Sequence, residues 1–147
     1  HIYTETEISS RYEILLENYV KTIHIEAKTL YSMVEQQFMP ALLHYTDTLS
    51  SSIAEKKAVA DLPCTAETAL LKDMSAAYES LYTLSEKLAA DTAEAEGLTD
   101  NAKASFFYHD TIVKDMDDIR AVADKAEVKL PKEFLPYPSY EEMLFYV

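Results

Sequence analysis

Along the first sixty residues, apolar side chains return every three or four positions: Ile8, Tyr12, Leu15, Tyr19, Ile23, Ala27, Leu30, Val34, Phe38, Leu42, Tyr45 and Leu49. That spacing puts them on one face of an α-helix, whereas in a strand they would scatter over both faces. The pattern predicts one long helix over residues 5–59. Two well-ordered charge pairs, Glu7 with Arg11 and Glu17 with Lys21, add to it. Pro40 falls inside the pattern. It carries no N–H and its ring crowds the carbonyl of Gln36, so the helix is expected to kink there and continue.

Asp61 and Pro63 break the chain, and Thr65 is the expected N-cap of a second helix over 65–96, with Glu67 in its first turn. Leu70, Met74, Ala77, Leu81, Leu84 and Leu88 form a heptad seam along it. Gly97, the single glycine of the chain, is expected to close this helix in the left-handed conformation. Asp100 is the expected cap of a third helix over 100–128, with Ala102, Phe106, His109, Val113, Met116, Ile119, Ala123 and Ala126 on its inner face. A link of a few residues makes helices two and three antiparallel neighbours. The fold class is therefore all-α: a single domain over 1–147, an up-down-up bundle of three long helices, the first the longest. One glycine in 147 residues also speaks against a sheet built on tight hairpins.

Residues 131–147 differ. Pro131, Pro136 and Pro138 hold the chain extended, and Ser139 with Glu142 forms a capping box for a short terminal helix. Phe134, Tyr137, Tyr140, Phe145 and Tyr146 crowd into this tail, which is too apolar to stay in water and is expected to dock on a neighbouring surface. Lengths point to a second surface. The first helix spans roughly 75 Å and the others roughly 45 Å. Its start, before about Ala27 and bearing Tyr12, Leu15, Leu16, Tyr19 and Val20, should overhang the bundle and need a partner.

A formal charge of -13 repels nucleic acid and anionic membranes, and no apolar run reaches the ~20 residues of a membrane span. A lone cysteine, Cys64, and no signal peptide fit a cytoplasmic setting. The chain starts at His1 without a methionine, and we expect a piece of a longer protein.

No catalytic, cofactor or metal site emerges. A di-iron bundle needs Glu-x-x-His, but Lys21, Ala41 and Phe106 stand three before His24, His44 and His109. These histidines are expected to be hydrogen-bonded or partly exposed. Asp115, Asp117 and Asp118, near Asp110, lack the loop, glycine and terminal glutamate of an EF-hand and read as a solvated face, with Asp110–Lys114 and Asp117–Arg120 pairing locally. Cys64 has no base near it in sequence and reads as a structural thiol. No glycine-rich phosphate loop is possible with one glycine. The run Phe106-Phe107-Tyr108-His109 is bulky all round, as in a helix buried on more than one side.

Two stretches resemble a known family. RYEILLENYVKTIHIEAKTL, Arg11 to Leu30, continues to MPALLHY around Pro40, and DIRAVADKAE, Asp118 to Glu127, precedes FLPYPSYEEMLF, Phe134 to Phe145. They are similar to the C-terminal region of type III glutamine synthetases, the large bacterial form. The most specific parts are Lys21, Thr22, Ile23, Ile25, Glu26 and Ala27, then Ala123 to Lys125, then Pro136, Pro138 and Tyr140. His24 stands where that family leads one to expect Asn or Gln, and Phe134 where it leads one to expect Trp. The resemblance implies a parent enzyme that joins ammonia to glutamate with ATP and Mg or Mn, in a cytoplasmic ring oligomer. No metal or substrate residue of the family maps onto this chain, which alone is expected to be inactive. Its implied partners are the catalytic domain of the same chain and neighbouring subunits. The competing reading is a free-standing helical interaction module, which predicts a start codon near His1.

Overall fold

The computed structural model describes residues 3–60, 62–138 and 140–145, with no side-chain detail at 140 and 141. The expectations for Asp61, Ser139, Tyr146 and the Tyr140 side chain lie outside the described residues. The structure is 87% helical, with no strand among the described residues, so the all-α bundle holds.

Helix α1 (Glu5–Met33) passes through a π-turn (Val34–Phe38) straight into α2 (Met39–Ala60). The disruption thus lies one turn ahead of Pro40. The apolar steps explain it. Val34, Phe38 and Leu42 follow Leu30 at intervals of four, and a regular helix of 3.6 residues per turn would carry them off the inner face. The wider π-turn absorbs the excess, and Val34, Phe38, Met39, Leu42 and Tyr45 all stay buried.

Helix α3 (Thr65–Glu96) runs back against α2, with Met74, Leu81 and Leu88 buried and Leu70, Ala77 and Leu84 packed beside them. Two expected caps are corrected. Gly97 is right-handed, at φ -77°, and Cys64 is the left-handed residue, at φ 44°. Cys64, itself buried, is the N-cap in place of Thr65 and makes no side-chain cap bond. A Cβ at Gly97 would stand 3.2 Å from the carbonyl oxygen of Glu94, so glycine there relieves crowding.

The third rod is α4 (Asn101–Phe107), a second π-turn (Tyr108–Ile112) and α5 (Val113–Glu127). The Asp100 carboxylate accepts from the amides of Ala102 and Lys103, as its capping role requires. The inner face is corrected over the first half of this rod. Ala104, Ser105, Tyr108, Ile112, Asp115 and Ile119 face inward, while Phe106 is 66% exposed and His109 points to solvent beside Asp110. Ser105 and Asp115 are polar, so the true inner line does not look apolar. From Ile119 onward the expected and observed faces coincide.

The tail folds back on its own bundle. Its 3-10 turn (Lys132–Phe134) sets the Phe134 ring 5.0 Å from Tyr45 and 5.3 Å from His44, and Tyr137 stacks on Phe38 at 6.2 Å. The Tyr137 hydroxyl donates to Glu127. Burial, then the Glu127 charge, pushes this phenol well above its ordinary range. A short helix, α6 (Tyr140–Leu144), ends the described chain.

Candidate functional site

Three places bring chemistry together: the overhanging start of α1, a half-buried bracket at its base, and a charge pair inside the bundle.

The overhang begins with a capping box. The Thr4 hydroxyl accepts from the Glu7 amide, and the Glu7 carboxylate accepts from the Thr4 amide at 2.7 Å. That second bond holds the Glu7 carboxyl below its usual value. Glu7 is therefore engaged at the cap and Arg11 stacks on Tyr3, in place of the expected Glu7–Arg11 pair. Glu17 and Lys21 do pair, at 2.6 Å. Ile8, Tyr12 and Leu15 stand exposed in steps of four and three, Leu15 at 67%. Leu16 is half-buried. Tyr19 and Val20 are corrected: both are half-buried against the core, because α4 reaches further along α1 than lengths alone suggest. The Asn101 amide donates to Glu13 at 3.2 Å, so the bundle closes on one side of α1 from about there.

At the base of the overhang, His24 Nδ1 lies 2.8 Å from the Tyr108 hydroxyl, and Nε2 lies 3.4 Å from Glu96. Lys28 pairs with Glu96 at 2.8 Å, which keeps that carboxyl below its ordinary value. Tyr108 is fully buried in the second π-turn, and burial, with the Glu96 charge, raises its phenol. This bracket ties α1, α3 and the π-turn together where α1 leaves the bundle. The sequence hinted at it only through the expectation that His24 is hydrogen-bonded or partly exposed.

Asp110, Asp117 and Asp118 are exposed, as expected of a solvated acidic face, but Asp115 is not. It is 2% exposed and pairs with Lys87 of α3, which also holds Asp91 at 3.1 Å. Its Oδ2 has no hydrogen-bond partner among the described residues. Burial raises the Asp115 carboxyl above its ordinary value, Asp91 pushes the same way, and Lys87 partly offsets both. Elsewhere on α3, the buried Ser85 hydroxyl donates to Glu35 of the first π-turn. The local pairs expected nearby do not form: Arg120 reaches Asp124 at 3.7 Å, and Asp110 meets His109.

Because the folded carboxyl of Asp115 titrates above its unfolded value, its contribution is fully present below about pH 4 and fades as pH rises through the raised value. Wild type should therefore be most favoured over Asp115→Asn at acid pH, and that advantage should shrink toward neutrality. Urea unfolding of both proteins across pH checks this, and a pH-independent difference would contradict it.

Of the proposed interface residues, Tyr12, Leu15 and Phe145 face solvent, while Phe134 and Tyr137 are spent on the protein's own core. Met143 and Leu144 join Phe145 on the outside of α6. Among the described residues, no three His, Cys, Asp or Glu side chains gather as an ion would need. Nor, among the described residues, is any helix long and apolar enough to cross a membrane.

Residues 1–57, which contain the whole overhang and most of α2, match the family model described as glutamine synthetase C-terminal domain. Over 98% of its length the chain is 42% identical to a glutamine synthetase of Butyrivibrio fibrisolvens. The chain belongs to the glutamine synthetase C-terminal domain family. It is also 24% identical, over 98% of its length, to a glutamine synthetase of Bacteroides fragilis (strain YCH46). A type-3 glutamine synthetase of Dictyostelium discoideum matches at 24% over 99% of the chain. The chain spans about a fifth of the length of these curated relatives, 20–21% of each. This domain is thus a helical bundle with an exposed apolar seam on the start of its first helix and exposed Met143, Leu144 and Phe145 near its C-terminus.

Proposed function

We propose that this domain is a packing and assembly element of a type III glutamine synthetase, a cytoplasmic enzyme that ligates ammonia to glutamate with ATP. The observation that carries the reading is the exposed seam of Ile8, Tyr12 and Leu15 on a helix that outruns its bundle. A helix face of this kind is stable in water only when another surface covers it. The catalytic part of the same chain is the natural cover, and the exposed Met143, Leu144 and Phe145 suit contact with a neighbouring subunit of a ring. On this reading ATP and Mg or Mn belong to the catalytic part of the parent enzyme. The chain's own role is to hold surfaces in register.

Tyr12→Asp with Leu15→Asp in the full-length enzyme tests this. The expected result is smaller particles in analytical ultracentrifugation and reduced ligase activity. Each residue is already exposed, so the bundle's own stability should change by roughly 1 kcal/mol or less for the pair. Unchanged particles with unchanged activity would remove the seam from assembly.

A further inference from the structure

Where α1 runs beside α3, Ala89 and Ala93 are too short to meet α1, and a groove is left between the two helices. It holds a cavity of about 230 Å³ with buried Ala27, Leu88 and Thr92 in its lining. Thr92 is 6% exposed, and its hydroxyl makes no hydrogen bond with a described residue. The two ends of the groove differ in charge. At one end Lys28 and Glu96 meet at 2.8 Å and satisfy each other. At the other, Tyr31 stands near Glu35, Glu86 and the exposed Tyr82, and burial, then those two carboxylates, raises its phenol above the ordinary value. Glu35 accepts from Ser85, and among the described residues neither Glu35 nor Glu86 is paired with a cation. Along α3, Tyr82, Glu86, Ala89, Ala93 and Glu96 follow in steps of four and three, so one face of that helix lines the groove for roughly 20 Å.

The reading that this domain packs inside a larger enzyme is the starting point for what lies there. The cavity is below the ~300 Å³ at which small-molecule sites begin, and it suits one large side chain. Its wall is apolar except for the free Thr92 hydroxyl, which calls for an aromatic ring with a polar tip. The open carboxylates call for a cation, which the Tyr31 ring also favours. A straight groove between two helices is filled best by a third. We propose that a helix from the part of the enzyme outside this chain lies in the groove. It sets a tyrosine or tryptophan against Thr92 and, one or two turns away, an arginine or lysine among Tyr31, Glu35 and Glu86. The cavity and the carboxylates are about one and a half turns apart, roughly 9 Å, which fits that spacing. A second copy of this domain does not meet the requirement. The chain has no tryptophan, and its exposed helical tyrosines, Tyr12 and Tyr82, have no Arg or Lys three, four or seven residues away. Four fifths of the length of the curated relatives lies outside the chain and is available to supply the helix. The formal charge of -13 favours a basic partner as well.

The test places the photo-crosslinking residue p-benzoylphenylalanine at Tyr82 in the full-length enzyme, with Val59, 86% exposed at the far end of α2, as control site. The expected product at Tyr82, absent at Val59, is a peptide from outside residues 1–147 that carries the tyrosine or tryptophan and the cation at that spacing. Ala93→Trp should fill the cavity and abolish the link. Glu35→Gln with Glu86→Gln should cut its yield about fivefold, and glutamine at 35 still accepts from Ser85. The identity of the linked peptide needs neither variant, so the test stands even if one fails to fold. A link to another copy of this domain, a peptide without that pair of side chains, a yield indifferent to both variants, or no link would each overturn the inference. The packing reading is judged separately by Tyr12 and Leu15, which lie outside the groove.

Discussion

Leu81→Ala is expected to cost the bundle about 2–5 kcal/mol, the largest loss of any single substitution considered for this domain. Leu81 is 0% exposed, midway along α3, the rod that packs against both others. Truncation there removes transfer energy and leaves a cavity between rods that can close only partly. For a domain of this size the midpoint of thermal unfolding should fall on the order of 10 °C. Calorimetry gives the shift, and urea titration should show a lower midpoint with an unchanged slope. A loss under about 1 kcal/mol would mean that the rods slide to fill the space. Slippage would be informative, since the two π-turns are the places where this bundle already departs from regular helix.

Lys87→Met is expected to rank second, at about 2–3 kcal/mol near neutral pH. The substitution leaves the Asp115 carboxylate buried beside Asp91 without its cation. Because the Lys87 side chain is 53% exposed, water screens part of the pair and the loss should fall short of a fully buried break. Two further measurements isolate the cause. Acidification should shrink the loss, since a protonated Asp115 needs no cation. Adding Asp115→Asn to Lys87→Met should recover most of it. A loss that persists unchanged in the double variant would point to packing of the lysine stem and not to charge.

Much of the bundle was legible because its apolar steps are nearly free of interruption. Leu70 to Leu88 announces the face of α3, where Ser85 is the one buried polar residue of that stretch, and Val34 to Tyr45 announces the buried part of the first rod. The third rod failed where that condition failed. Asp115 and Ser105 occupy inner positions, so a reader following apolar residues steps onto Phe106 and His109. Nothing local in the sequence says that Lys87, 28 residues earlier, will neutralise Asp115. The π-turn at Tyr108–Ile112 is equally silent, whereas the one at Val34–Phe38 has a trace in its run of four-residue steps.

For the candidate site, the exposed seam was readable as surplus length: a rod longer than its partners must overhang. How far it overhangs was not, and Tyr19 and Val20 are covered because α4 packs against α1 beyond the end of α3. The tail's aromatics were readable as a need to dock, but not as a need already met by Phe38, Tyr45 and His44.

By itself the sequence determined the helices, their order and which stripes must leave water, because periodicity and breakers act over a few residues. Only the tertiary structure decided the depth of the overhang, the fate of the tail and the burial of Asp115. Each of those depends on which distant side chain arrives opposite, and that is set by rods packing side by side.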